Sequence, residues 1–172
     1  MIEIQKRSST RNFLEKAVEE EKLQQLLTAA LQAPTAANMQ EIHFSVVYKS
    51  NHILKEIDIQ KNSLREVPSE KIFYFDAPVV IFLSAKEDFR WSMLDSGIAV
   101  ENIALEAEHL GIGSLIIGSV YDALHSDKKE YFGKKLAFPE GYGFTIAIAL
   151  GYKAAEKQPH DFDKEKQISI IC

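Results

Sequence analysis

A cluster of basic and hydroxyl side chains near the start of the sequence has the chemistry of an anion site. Its members are Lys6, Arg7, Ser8, Ser9, Thr10 and Arg11. Fixed positive charge beside hydroxyl donors suits a phosphate monoester, because both kinds of group can reach its oxygens. The cluster belongs to a chain whose formal net charge is −5. Taken alone, such a cluster is more often ordinary solvated surface.

A second candidate site is the small, polar segment 34–40, PTAANMQ. It follows an amphipathic stretch, 19–33, which predicts a helix that Pro34 ends. It precedes the stretch 43–48, which predicts a strand. Loops between packed elements often carry ligand-binding residues, although a plain connector is the commoner reading of such a segment alone.

The glycines of GIGSLIIG, 111–118, suggest a nucleotide-binding loop, but their position argues against one. A phosphate-binding loop follows a strand and opens a helix, where backbone N–H groups attract the anion. Here the glycines follow a predicted helix and precede a predicted strand. They indicate a helix end at Gly111 and Gly113 and a tight turn into the strand.

The longest apolar helical stretch, 92–110, predicts the helix around which these candidate sites are arranged. Read at 3.6 residues per turn, its apolar and small side chains cover more than half of the circumference, which is typical of a buried helix. Ser92 and Asp95 have the spacing of a capping box, which predicts that the helix begins there.

The remaining elements follow from local patterns. Helices are predicted at 50–58 and 126–133, and strands at 77–84, 115–117, 144–152 and 167–171. The stretch 61–76 allows two interpretations, a mobile lid or a packed connection. The charged extension 153–166 and the last β segment predict an arm that reaches for an edge strand, on this subunit or another.

The composition favours one globular domain, 1–172, with 46% hydrophobic and 26% charged residues. Its acidic balance argues against a nucleic-acid partner. The single cysteine, Cys172, excludes an intrachain disulfide and a CxxC-type metal or redox site. Early charges such as Glu3 and Lys6 break a signal-peptide pattern, and no apolar run has membrane-spanning length, so we expect a cytoplasmic protein.

Four segments, taken in order, resemble the flavin-dependent nitroreductase family. RSSTRNF resembles the family's Arg-Arg-Ser-x-Arg-x-Phe, with matches at Arg7, Ser9, Arg11 and Phe13. APTAANMQEIHF is similar to its Ala-Pro-Ser-x-x-Asn-x-Gln-Pro-Trp-x-Phe, with matches at Ala33, Pro34, Asn38, Gln40 and Phe44. The other segments are the long helix with its LGIGSLIIG end and the strand end IALGY, 148–152. The resemblance covers nearly the whole chain.

The resemblance implies an α+β fold, a three-layer sandwich in which a mainly antiparallel sheet lies between helices. It also implies an intertwined homodimer with one FMN at each of two subunit interfaces. A homodimer agrees with the wide apolar surface of the predicted long helix, which one subunit of this size would hardly cover alone. The C-terminal arm, 153–172, would then lie on the partner subunit.

The resemblance implies three groups of cofactor-binding residues. The phosphate, ribityl chain and pyrimidine edge of FMN would be held by Arg7, Ser8, Ser9 and Arg11. The flavin ring would be lined from the partner subunit by Pro34, Thr35, Ala36, Asn38 and Gln40. Main-chain contacts near the reactive edge would come from Ile116, Ile117 and Gly118. No metal and no catalytic side chain is implied, although Arg11 would stabilise the charge of reduced flavin.

The sequence departs from the family pattern at three places. Ser8 stands where a second Arg is usual. Glu41 and Ile42 replace Pro-Trp, which makes the surroundings of the ring more polar. No C-terminal phosphate-binding Arg is evident, and Lys157 or His160 is the candidate substitute.

The implied reaction is hydride transfer from NADH or NADPH through FMN to a nitroaromatic, a quinone or a similar electron-poor acceptor, by a ping-pong mechanism. Three alternatives stay open. The chain could be a flavin enzyme with a different specific substrate, an FMN-binding regulator or store with little turnover, or a flavin-free dimeric domain. The sequence chooses neither the acceptor nor the nicotinamide.

Overall fold

An antiparallel sheet of four strands forms the middle of the structure, a computed structural model that describes residues 2–66, 72–158 and 161–171. The strands are β1 (Ile42–Tyr48), β2 (Val79–Lys86), β3 (Gly113–Ile117) and β4 (Tyr142–Gly151). They lie in the order β1-β2-β4-β3, and each neighbouring pair is antiparallel. The central strands are apolar almost throughout because both of their faces are covered.

Helices cover both faces of this sheet. One layer consists of α2 (Glu20–Leu31) and α4 (Ser92–His109), and the other of α3 (Ile53–Leu64), α5 (Tyr121–Leu124) and α6 (Lys129–Lys135). In the first layer Leu26 and Ile103 pack with Ile148 of β4. In the second layer Ile57 belongs to the same core as Phe82 of β2. The expected α+β sandwich with a mainly antiparallel sheet is therefore confirmed.

The predicted β segment at 167–171 is wrong for this chain. A short helix, α7 (Lys164–Gln167), ends there, and the described residues that follow it form no strand. Asp163 favours this helical turn, because its Oδ1 accepts the backbone N–H groups of Glu165 (3.1 Å) and Lys166 (3.4 Å). Ile171 is 95% exposed.

Helix α3 is longer than predicted and continues to Leu64 instead of ending at residue 58. Its second half buries Gln60, Lys61 and Asn62. These polar side chains interrupt the apolar pattern that marks the buried face of a helix, so in the sequence the pattern stops at Ile57.

The ambiguous stretch 61–76 is a packed connection where the structure describes it. Phe73 and Tyr74 are buried, and their rings meet edge to face with centroids 5.1 Å apart. Phe75 is partly exposed. The part that contains Pro68, 67–71, lies outside the described residues.

The other predicted boundaries shift by one to three residues. The helix predicted at 126–133 begins at Lys129, because Ser126 belongs to the preceding turn, where its Oγ accepts the Lys128 N–H (3.2 Å). A shorter helix, α1 (Ile2–Lys6), and a 3₁₀ turn (Ala36–Asn38) complete the elements named below.

Helix α4 begins at Ser92 as predicted, but the expected capping box is wrong. The Ser92 hydroxyl donates to the Lys86 carbonyl (2.6 Å), and Asp95 accepts a hydrogen bond from Ala36. Both side chains are taken by tertiary partners and do not cap the helix. Met93 and Leu94 are each 56% exposed. Among the described residues, no helix, α4 included, is long and apolar enough to span a membrane.

Candidate functional site

The N-terminal segment 8–14 joins the sheet at two places, first at β3 and then, through Phe13, at the residues that follow β4. Ser9 forms a parallel bridge with Ser114, and the Thr10 N–H donates to the Ser114 carbonyl (2.9 Å). Arg11 lies between this bridge and the pairing of Phe13 with Lys153.

Gly113 makes this close approach possible. A Cβ atom at Gly113 would lie 2.7 Å from Thr10 Oγ1 and 2.8 Å from Lys153 Cγ, closer than a side chain tolerates. Lys153 also forms a mostly buried ion pair with Glu108 of α4 (2.8 Å), and it bridges to Phe13. The prediction that Gly113 helps to end the helix is therefore wrong. Gly111, with φ +71°, lies at the end of α4, as predicted.

Arg11 and the main chain at 116–118 line the same cavity, which has a volume of about 330 Å³. The structure thus brings together two of the predicted groups. Lys61, Arg65, Phe73 and Phe75 also line this cavity. They belong to the stretch 61–76, which the sequence left as a mobile lid or a packed connection and did not assign to the site. One signal was available, since two cations four residues apart lie on one face of a helix.

The two basic residues among these, Lys61 of α3 and Arg65 directly after it, already form ion pairs with carboxylates. Lys61 Nζ lies 2.9 Å from Asp58 Oδ1 in a buried ion pair, and Arg65 Nη2 lies 2.8 Å from Asp122 Oδ2 in an exposed one. Burial raises the pKa of Asp58, whereas the Lys61 ammonium and the Phe73 N–H oppose that rise. The positive potential of the cavity is consequently weaker than a count of its cations suggests.

Arg7, Ser8 and Ser9 do not line this cavity. Arg7 turns to α4, where its Nε lies 3.5 Å from Glu101 Oε1. Ser8 is buried, and Ser9 pairs with β3. In this chain the predicted phosphate clamp is therefore separate from the surface beside Arg11.

The loop at 34–40 adopts an unusual backbone for residues other than glycine. Ala37, Asn38 and Gln40 all have φ between 52° and 55°, in the left-handed region. Such a conformation costs on the order of 1 kcal/mol or more per residue, so other contacts must hold it. The Gln40 N–H donates to Thr35 Oγ1 (3.0 Å), and the Ala36 N–H donates to Asp95 Oδ2 (3.0 Å).

This loop and Arg11 lie at opposite edges of the sheet. The loop leads into β1, whereas Arg11 lies beyond β3, and β2 and β4 separate the two edge strands. Neighbouring strands are about 4.8 Å apart, so roughly 15 Å or more of sheet lies between the two groups. One chain does not bring together Pro34, Thr35, Ala36, Asn38 and Gln40 with Arg11.

The departures from the family pattern have definite places in the structure. Glu41 is 3% exposed, and neither of its oxygens has a hydrogen-bond partner among the described residues. Ile42 packs against the core shared by α2 and α4. Lys157 is exposed, and His160 lies outside the described residues.

Comparisons with known proteins agree with this architecture. The sequence profile of the nitroreductase family matches residues 4–152. A protein of Archaeoglobus fulgidus with the provisional name NADH dehydrogenase/NAD(P)H nitroreductase is 29% identical over 160 residues, which cover 91% of this chain and 87% of that protein.

Two solved structures have the same fold. The FMN-bound nitroreductase of Desulfitobacterium hafniense is 30% identical, with a TM-score of 0.87 over 99% of this chain and 96% of the other. The FMN-bound nitroreductase of Bacteroides fragilis is 25% identical, with a TM-score of 0.88 over 99% and 97%. With a family profile that matches most of its length and a fold shared with these enzymes, the chain belongs to the nitroreductase family.

Proposed function

We propose that this protein is an FMN-dependent oxidoreductase that takes hydride from NADH or NADPH and delivers it to a small electron-poor acceptor. One cavity carries this function, because Arg11 and the main chain at 116–118, distant in sequence, line it together. Bound flavin supplies the hydride chemistry, so the chain needs to contribute only binding, orientation and charge. The similarity to FMN-bound nitroreductases supports the same activity.

The residues around this cavity fit a flavin ring. Phe73 and Phe75 offer apolar faces to a planar ring, and Arg11, Lys61 and Arg65 offer positive charge to its polar edge. A flavin becomes more negative when it is reduced, and fixed cations then stabilise it more than in the oxidised form. We assign this role to Arg11, since carboxylates already partner the other two cations.

In this proposal the complete site needs two chains. The loop at 34–40 lies too far from Arg11 of its own chain to line the same ring, so the partner subunit would supply it. Met93 and Leu94 of α4 offer an exposed apolar surface for that partner. The C-terminal arm, 153–172, is exposed at 154–158 and would lie on the partner.

Nitroaromatics and quinones are the acceptors that we propose. They are flat, as is the nicotinamide ring of the donor, so donor and acceptor can use one cleft in turn. A shared cleft requires that the oxidised nicotinamide leaves before the acceptor enters, which gives ping-pong kinetics.

A visible spectrum and an anaerobic titration test this function. The purified protein should be yellow with bound FMN, and NADH or NADPH should bleach it. A quinone or a nitroaromatic should then restore the colour, and the reciprocal plots should be parallel. If dithionite bleaches the flavin but neither nicotinamide does, the chain is an FMN-binding regulator or store and not an oxidoreductase.

A further inference from the structure

Two acidic side chains are buried at the base of the loop 34–40. Glu41 follows the loop directly and is 3% exposed, and Asp95 of α4 is 2% exposed. Asp95 Oδ2 accepts the backbone N–H of Ala36, 3.0 Å away. Neither oxygen of Glu41 has a hydrogen-bond partner of good geometry among the described residues, but its own backbone N–H and the Asp95 carboxyl both act on it.

Two ionised carboxylates are costly in such a place. Burial disfavours the charged form of each, and a second negative charge nearby disfavours it further, so such a pair commonly holds one proton between its members. Burial raises the pKa of Glu41 most, and Asp95 raises it further, whereas the backbone N–H of Glu41 and Lys86 of β2 lower it. Glu41 thus keeps its proton to a higher pH than an exposed glutamate.

The loop depends on this pair for its conformation. Ala37, Asn38 and Gln40 are all left-handed, which favours opening of the loop unless hydrogen bonds hold it. The bond from Ala36 to Asp95 is the contact that ties the loop to α4. A charge on Glu41 would repel Asp95 and weaken this connection.

We propose that Glu41 in its uncharged form, buried with Asp95 at the base of the loop 34–40, helps Asp95 to hold the loop in its observed conformation, so that both act as positioning residues. Charged groups that act on Glu41 are Asp95 from α4 and Lys86 from β2. A role for the pair in cofactor affinity rests on the proposed function, because the loop matters for FMN only if it lines the flavin ring. The role of the pair in holding the loop does not rest on the proposed function.

Hydrogen exchange of the Ala36 amide tests the pair without a cofactor. In the full flavin-free chain, protection of this amide, corrected for intrinsic exchange, should fall as pH rises from 5 to 9. The fall should be about tenfold for each unit by which the pKa of Glu41 exceeds its value in the open loop. Glu41→Gln should keep the protection and remove its pH dependence, because a neutral amide cannot repel Asp95.

The control variants separate this role from a general effect on stability. Asp95→Asn should lower protection of Ala36 at every pH, and Glu21→Gln, an exposed change on α2, should match wild type. The proposal is overturned if Glu41→Gln retains the pH dependence of wild type or if Asp95→Asn leaves Ala36 unchanged. Should Asp95→Asn fail to fold, Glu41→Gln alone decides.

The affinity for FMN over the same pH range tests the consequence for the site. It should weaken with rising pH in wild type and stay level in Glu41→Gln. If the exchange results are as expected but the chain binds no FMN, the proposal for Glu41 and Asp95 is supported and the proposed function is wrong. If FMN binds but the exchange of Ala36 is independent of pH in wild type, the proposal for Glu41 and Asp95 is wrong and the proposed function is unaffected.

Discussion

Arg7 and Glu101 form an ion pair that joins the N-terminal segment to α4, with Arg7 Nε 3.5 Å from Glu101 Oε1. Arg7 occupies the position that the family pattern assigns to the phosphate of FMN. A phosphate and the Glu101 carboxylate would therefore compete for one guanidinium. Because Glu101 is about half exposed, the pair is weak enough for a phosphate to displace it.

We expect Glu101→Gln to tighten FMN binding by about fivefold, because the competing charge is removed while the side-chain shape is kept. Flavin fluorescence titration measures this affinity. Glu106→Gln on the same helix is the matched control and should have no effect. Weaker binding in Glu101→Gln would show instead that Glu101 orients Arg7 for the phosphate.

We expect Arg11→Ala to slow the bleaching of bound flavin by NADH about tenfold at saturating FMN, because the fixed charge that stabilises reduced flavin is lost. Stopped-flow absorbance under anaerobic conditions gives the rate. Lys6→Ala removes an equal charge from α1, outside the cavity, and should leave the rate unchanged. Equal rates in all three proteins would exclude Arg11 from the flavin edge.

The sequence predicted those parts of the fold that local patterns determine. The apolar run of β2 and the long stretch of α4 are distinct in the sequence because the sheet and its helices bury them. The second half of α3 was missed, because Gln60 and Asn62 are polar yet buried. Asp95 was assigned to a cap by its spacing, whereas its partner is Ala36, 59 residues away, which no local pattern reveals.

The candidate site was predictable only in part. Arg11 and the residues at 116–118 were named through the resemblance to a family, and the structure brings them to one cavity. Arg65 belongs to the stretch 61–76, for which the sequence allowed either a lid or a packed connection, and only the folded chain shows that it lines the cavity. The loop at 34–40 lies at the other edge of the sheet, so only the proposed two-chain site unites it with the rest of the predicted set.

We expect Leu94→Lys to shift the protein from dimer towards monomer, because a charge would be placed in the apolar surface that the partner is proposed to cover. The dissociation constant should rise by about tenfold or more, as measured by light scattering over a micromolar dilution series. Ile59→Lys is the matched control, since Ile59 is 52% exposed, close to the 56% of Leu94, but lies on α3 in the opposite layer. If the wild-type chain is already monomeric at these concentrations, the proposed two-chain site is wrong.

Finally, Gly113→Ala tests whether the N-terminal segment must lie against β3 for the site to form. The added methyl group would meet Thr10 Oγ1 at 2.7 Å and Lys153 Cγ at 2.8 Å, so the segment must move or the strand must shift. We expect a loss of about 1–3 kcal/mol in the free energy of unfolding, measured by denaturant titration, together with weaker FMN binding. Gly133→Ala in α6 is the matched control, because its new methyl would lie 3.8 Å from Phe138, an ordinary contact, and alanine favours the helix. If Gly113→Ala lowers stability and leaves the affinity for FMN unchanged, the segment supports the fold but does not position Arg11.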